Sequence, residues 1–298
     1  MILQGVDIVD DISAADFREK YYDRNIPLVI KNLSRNWPAY SKWTLDHFID
    51  IVGEKEVGVY NNTKSDAYTP INTADASMKF GEYLEKVKQG PIDLRIFLFN
   101  IFQHAPQLTH DFTWPEHLMK GFVKKYPMLF VGGAGSVTHI HFDIDMSHIL
   151  HTQFLGHKKV LLFPYEEQFK LYRKPWEVLS LANFSKYKDD FDYESFPAVR
   201  LAKGYEVELE HGDTLFMPAG YWHQMEYLDV GFAMSLRALQ SGLGGKMEGI
   251  WKLFGMRGID TLMKKAAPEW WYKYKTKQVF QNAQREIRAS GMTRQNKL

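Results

Sequence analysis

The chain has 298 residues, 45% of them hydrophobic and 15% aromatic, enough to bury a large core in one domain with appended elements. It contains no cysteine, which excludes disulfides, thiolate zinc sites and iron–sulfur clusters and leaves His, Asp and Glu as the only strong metal ligands. A formal net charge of +1 gives no global pull towards nucleic acid or membrane.

Residues 1–125 read as a mixed, mostly helical segment flanking the remainder. Met1-Ile2-Leu3-Gln4-Gly5-Val6 lacks the basic start and apolar stretch of a signal peptide, and no apolar run approaches the roughly 20 residues of a spanning helix. The expectation is a soluble, cytoplasmic protein with no membrane partner. Ser13-Ala14-Ala15-Asp16 has the form of a helix N-cap with an acid in the first turn, followed by Phe17, Tyr21 and Tyr22 at helical spacing. A short strand is predicted at Pro27-Leu28-Val29-Ile30, a helix opened by Thr44 over Leu45-Asp46-His47-Phe48-Ile49, and another near Lys79 to Val87.

From Tyr126 the hydrophobic period changes from near 3.6 to 2. Met128 to Val131, Val137 to Asp143, Ile149 to Leu155, Lys159 to Phe163, Tyr205 to Leu209, Thr214 to Met217 and Phe232 to Leu239 are short strand-like runs separated by Gly-rich turns. Such a series predicts an antiparallel jelly roll over residues 126–240. The fold class is therefore mainly β with flanking helices. Tyr165 to Lys203 is too long for a turn and reads as a partly helical insertion. After Gly245 helical spacing returns at Met247, Ile250, Trp251 and Phe254, then Ile259, Leu262 and Met263, then Trp270 to Ile287; residues 241–298 are expected to form C-terminal helices. Their apolar faces must pack back on the barrel or pair with a second copy. From Lys246 onward 12 Lys and Arg face 4 Asp and Glu, a local charge of +8, which reads as a solvated helical face. Trp270-Trp271-Tyr272-Lys273-Tyr274-Lys275 reads as part of a dimerising or packing helix, and a nucleic-acid substrate is not expected.

The chemistry concentrates in a His-x-Asp pair, His141-Phe142-Asp143, and a distant histidine, His223, that follows Met217-Pro218-Ala219-Gly220-Tyr221-Trp222. Residues two apart on a strand share a face, so His139, His141, Asp143 and Asp145 are expected to form a ladder of potential ligands. Only two adjacent members can join a third ligand from another strand, for which His223 is the candidate. Two imidazoles and a carboxylate on one side of a divalent metal leave the opposite positions open, which suits Fe(II) and O2. His148, His151, His157 and His211 are read as structural or surface residues.

Three blocks make the pattern specific: Gly135-Ser136-Val137-Thr138-His139-Ile140-His141-Phe142-Asp143, Gly156-His157-Lys158-Lys159-Val160-Leu161-Leu162-Phe163-Pro164, and Gly212-Asp213-Thr214-Leu215-Phe216-Met217-Pro218-Ala219-Gly220-Tyr221-Trp222-His223. Together with Ile26 to Leu33, Trp37-Pro38-Ala39-Tyr40 and Lys42-Trp43-Thr44-Leu45, they resemble the Jumonji-C, cupin-like hydroxylases, in particular the subgroup of the hypoxia-inducible-factor asparaginyl hydroxylase. The resemblance implies a double-stranded β-helix that uses Fe(II), 2-oxoglutarate and O2 to hydroxylate a side chain of a protein or peptide. It implies His141, Asp143 and His223 as metal ligands and catalytic centre, and Lys158 and Thr138 as partners of the distal 2-oxoglutarate carboxylate. It also implies a homodimer through the C-terminal helices. The stretch from Asp143 to Gly156 is longer than in the relatives, which leaves His139 and Asp145 open as alternative ligands. Ser235-Leu236-Arg237 replaces an Asn-Phe-Trp ending, so Arg237 either adds a contact to the 2-oxoglutarate carboxylate or faces substrate. Phe97 stands where some relatives carry a tyrosine. The alternative reading is a non-catalytic, cupin-like metal- or carboxylate-binding module.

Overall fold

A computed structural model describes residues 1–63, 73–185, 187–188, 190–240 and 251–291. Its centre is two facing β-sheets. Strands β7 (Met128–Gly132), β8 (Val137–His141), β9 (His148–Leu155), β10 (Lys158–Phe163), β11 (Lys203–Leu209), β12 (Thr214–Met217), β13 (Trp222–Tyr227) and β14 (Gly231–Ala238) supply the eight barrel strands. One sheet runs β11-β10-β13-β8 and the other β12-β9-β14-β7, every pairing among these eight being antiparallel. The chain crosses repeatedly between the two sheets, which is the winding of a double-stranded β-helix. The expected fold class is therefore the observed one.

The interior explains the winding. Ile149, Val160, Leu162, Leu209, Leu215, Met217 and Met225 come from both sheets and meet in one buried cluster. They sit at alternate positions, as a half-buried strand requires. Burial of apolar surface at about 25 cal/mol per Å² is what drives such sheets together. Gly156, two residues before Lys158, turns the chain between β9 and β10 at φ +72°, and a Cβ there would run into the Val230 carbonyl and the Asp229 carboxylate.

The N-terminal segment carries more β structure than its pattern predicts. Besides the expected strand β3 (Leu28–Ile30), it holds β1 (Ile2–Gly5), β2 (Asp7–Val9), β4 (Glu56–Val59), β5 (Ala76–Lys79) and β6 (Arg95–Phe99). Each is three to five residues long, and although Glu56-Val57-Gly58-Val59 alternates in burial, tertiary pairing decides them. β1 lies parallel to β11 at one sheet edge, β2 parallel to β3 at the edge of the other, and β6 extends that second sheet beyond β7. The helices begin where their caps are: the Ser13 hydroxyl accepts from the Asp16 amide at α1 (Ala14–Phe17), and the Thr44 hydroxyl accepts from the His47 amide. A one-turn α2 (Ala39–Lys42) precedes α3 (Leu45–Val52), and α4 (Phe80–Lys88) and α5 (Ile101–His104) complete this layer.

The interval after β10 contains two short 3-10 turns, Tyr165–Phe169 and Pro197–Leu201, as a partly helical insertion should. At the C-terminus, α6 (Arg257–Ala266) and α7 (Pro268–Ala289) pack back on that insertion. Val279 and Ala283 enter its apolar core, and Phe280 meets Tyr172 and Phe196. A buried network closes the contact: Lys275 donates to Glu177 and to Asp260 Oδ1 at 2.8 Å, and the Trp271 indole donates to the same oxygen at 2.8 Å. Met247 and Ile250, expected to be helical, lie outside the described residues. No helix among the described residues is long and apolar enough to cross a membrane.

Candidate metal centre

His141 ends β8 and His223 stands second in β13, and the two are direct cross-strand neighbours. Their ring centroids are 4.2 Å apart. Asp143 follows two residues after the strand ends, with its Oδ1 4.0 Å from His141 Nε2. One ligand atom from each of His141, Asp143 and His223 can be chosen such that all lie within 4.8 Å of one another. The imidazoles are held in the same way. His141 Nδ1 lies 2.8 Å from the His139 carbonyl and His223 Nδ1 lies 3.1 Å from the Tyr221 carbonyl. A carbonyl only accepts, so each Nδ1 carries the proton and each Nε2 keeps its lone pair for a metal.

Electrostatics favour the same state. Burial, then the neighbouring His223, pushes the His141 imidazole down to about 3, so it is neutral at pH 7. Burial alone would raise Asp143, but the Arg237 charge, followed by His223 and His141, outweighs it and holds the carboxyl below the usual carboxylate range. A neutral imidazole and an ionised carboxylate are the forms that bind metal without first losing a proton.

The expected ladder does not form, because β8 carries a bulge and ends at His141. His223 opposes His141, but Met225 opposes Thr138 where unbroken pairing would bring His139. One extra residue in β8 thus puts Thr138 and His141 on the interior face although they are three apart. His139 is turned away, with Nε2 2.7 Å from the Asn62 carbonyl and Nδ1 3.5 Å from Ser185 Oγ. Asn62 also accepts from the Val137 amide at 2.7 Å and donates to the Gly135 carbonyl at 2.9 Å, pinning the start of the strand. Asp145 lies in the turn beyond, and neither it nor His139 joins the ligand cluster.

Lys158 opens β10 on the interior side, in step with Val160 and Leu162, four residues and about 13 Å along the strand from the level of His223. It is completely buried. Its Nζ lies 3.1 Å from His151 Nε2 and 4.3 Å from the centre of the Tyr227 ring, and among the described residues it has no carboxylate partner. Burial lowers its pKa to about 7. A buried cation left with an imidazole and a phenol ring is poorly compensated, and an incoming carboxylate supplies what it lacks. His151 Nδ1 lies 2.8 Å from Ser235 Oγ, so His151, Tyr227 and Ser235 complete a buried cluster around Lys158 that the sequence did not single out. Phe97 packs on Tyr60 with ring centres 4.2 Å apart.

Arg237, on β14, points at the metal cluster. Its Nη1 lies 2.9 Å from Asp143 Oδ2 and 3.3 Å from Asp145 Oδ1. The contact to Asp143 is one of charge, since that oxygen receives no directed hydrogen bond. The other histidines have structural settings. The Ala219 amide donates to His148 at 3.2 Å, His211 meets the Phe154 carbonyl at 2.7 Å, and exposed His157 pairs with Asp229 at 2.6 Å.

A cavity of about 320 Å³ opens at the same end of the barrel, lined by Arg24, Ile26, Glu166, Tyr205 and Tyr221 among others. Tyr205, Leu162, His223 and His141 form one row across neighbouring strands. Tyr205 is therefore two strands, about 10 Å, from His223.

The winding of the sheets and the convergent His, Asp and His side chains define a cupin-type barrel of the Jumonji-C kind, with a donor set that fits one divalent iron and a buried cation that fits a dicarboxylate. The chain belongs to the cupin-like domain family, whose model matches residues 14–274. It is 26% identical over 230 residues to lysine-specific demethylase 8 of Xenopus tropicalis, covering 75% of this chain and 50% of that protein. It is 28% identical over 240 residues to Jumonji C domain-containing protein 5 of Drosophila melanogaster (76% of this chain, 58% of that protein). A third relative, tRNA wybutosine-synthesizing protein 5 of Gallus gallus, is 26% identical over 253 residues, covering 76% and 75% of the two chains. The chain spans about half the length of the demethylase relative. Family and donor set agree with the cofactors expected from the sequence: Fe(II), 2-oxoglutarate and O2.

Proposed function

We propose that this protein is an Fe(II)- and 2-oxoglutarate-dependent dioxygenase that hydroxylates a side chain of a protein or peptide, in the manner of the asparaginyl hydroxylase subgroup. The observation that carries the proposal is the convergence of His141, Asp143 and His223 at one end of a barrel whose interior holds a buried, uncompensated Lys158. In this reading the three side chains hold the iron, with both Nδ1 protons fixed on backbone carbonyls. Lys158 receives the distal carboxylate of 2-oxoglutarate, and Thr138, facing inward beside Met225, donates its hydroxyl to the same group. The bound iron and co-substrate together supply the oxidising power for C–H hydroxylation. The apolar cluster of Val160, Leu162, Leu215 and Met217 excludes water from the interior. The cavity beside Tyr205 and Tyr221 takes part of the substrate at the barrel mouth. The protein acts in the cytoplasm as a homodimer built on its C-terminal helices, where Trp251, Phe254 and Leu262 are exposed.

The test is succinate release from iron-loaded protein, 2-oxoglutarate and a peptide library. His141→Ala and Asp143→Ala should each abolish it, and unchanged turnover in both variants would end the proposal. A wild type that binds 2-oxoglutarate but never turns over points instead to a binding module. A second reading, an RNA substrate, is favoured by the tRNA named for one relative and by Trp270 and Tyr274, stacked 5.4 Å apart at 9° beside a basic tail. The same assay with RNA in place of peptide decides between them.

A further inference from the structure

We propose that Arg237, anchored on Asp145, is a positioning residue that holds one oxygen of Asp143 away from the metal, so that the carboxylate binds through a single oxygen. The inference rests on the metal site described above and gives Arg237 a role distinct from a direct co-substrate contact.

The two oxygens of Asp143 face different ways. Oδ1 is directed towards His141 Nε2, at 4.0 Å, and Oδ2 towards Arg237 Nη1, at 2.9 Å. The same nitrogen lies 3.3 Å and 3.4 Å from the two oxygens of Asp145. Arg237 therefore sits between two carboxylates and is fixed from the far side by the one that is not a ligand candidate. The groups are largely shielded, with Arg237 and Asp143 side chains each 18% exposed, so their attraction is only partly screened by water. Backbone pairing fixes the distance: Arg237 lies opposite Ile149 on β9, and the turn holding Asp143 and Asp145 leads directly into that strand.

The consequence concerns open positions. An unclamped carboxylate can swing to offer both oxygens to a divalent ion, filling a position that a chelating co-substrate needs. A guanidinium on Oδ2 opposes that swing with its own charge and its ties to Asp145. A carboxylate partner behind a ligand is a common way of orienting imidazoles, and losing such support typically costs about 10–100-fold in metal affinity or activity. Here a cation plays the corresponding part for the carboxylate.

The experiment uses the full chain loaded with Co(II), whose visible absorption reports coordination number without turnover. Arg237→Gln should change band intensity and position before any co-substrate is added, and should weaken subsequent 2-oxoglutarate binding by about tenfold or more. Asp145→Asn, which keeps the arginine and removes its anchor, should shift the spectrum in the same direction by less, and it decides the matter if Arg237→Gln does not fold. A wild-type spectrum in either folded variant overturns the clamp. A spectrum that is unchanged until 2-oxoglutarate is added, with only its affinity reduced, overturns it in favour of direct co-substrate contact. A wild-type chain that takes up no Co(II) overturns the metal site and the clamp together, so the two failures are told apart.

Discussion

Replacing Lys158 by methionine should stabilise the ligand-free protein near neutral pH while weakening 2-oxoglutarate binding. The ammonium is completely buried against His151 and Tyr227, and burial lowers its pKa from 10.5 to about 7. Between those two values the unfolded chain binds the extra proton and the folded chain does not, so stability rises with pH from 7 towards 10.5. Below pH 7 the penalty is present in full. At about 1.4 kcal/mol per unit, the wild type should gain roughly 2 kcal/mol between pH 7 and pH 9 through this one group. Methionine, of similar length and without charge, removes both the penalty and the slope. With co-substrate present the sign reverses, because deleting one member of a buried charge pair costs about 2–5 kcal/mol, or about 30-fold to several thousandfold in Kd. Urea unfolding of both proteins at pH 7, 8 and 9, followed by calorimetric titration with 2-oxoglutarate, reads both effects. A methionine variant that keeps the wild-type pH slope, or binds 2-oxoglutarate as tightly, would refute the reasoning.

Lys275→Met removes one cation from the buried Glu177 and Asp260 carboxylates, which keep Lys264 at 3.5 and 2.9 Å, and should lower stability by about 1.5–3 kcal/mol in chemical denaturation; a change under about 0.5 kcal/mol would mean this lysine contributes little to the network. Gly156→Ala forces a side chain into a left-handed turn against the Val230 carbonyl. It should destabilise by more than about 1 kcal/mol and weaken 2-oxoglutarate binding through Lys158, and an unaffected melting temperature would contradict the strain. Phe254→Glu, at a position 71% exposed, should convert the proposed dimer into a monomer by light scattering at fixed concentration; a wild type that is already monomeric ends the dimer proposal, and a variant that stays dimeric removes this face from the interface.

What the sequence made legible follows from how local each signal is. The caps at Ser13 and Thr44, the period-2 runs from β7 to β12, and the His-x-Asp pair are written in adjacent residues, and the structure brings His141, Asp143 and His223 together. The side chains around them were not legible. The ladder of His139, His141, Asp143 and Asp145 assumed an unbroken strand, and a single bulged residue reverses the face of His139. His151 was read as structural or surface because it belongs to no motif of its own, whereas its partners, Lys158 and Ser235, come from other strands. Arg237 was expected to contact the 2-oxoglutarate carboxylate or to face substrate; its contacts to Asp143 and Asp145 of the chain itself were not legible. β1 and β2 have no pattern of their own because their pairing partners provide the order.

That last pairing has a kinetic meaning. β1 docks on β11, about two hundred residues downstream, while β2, two residues after β1, docks on the other sheet. A contact of such sequence separation cannot close until nearly the whole barrel exists, and high contact order slows folding. Until it closes, the outer hydrogen-bonding rim of β11 stays open to other chains, so refolding at high concentration should favour intermolecular strand pairing over the native seal.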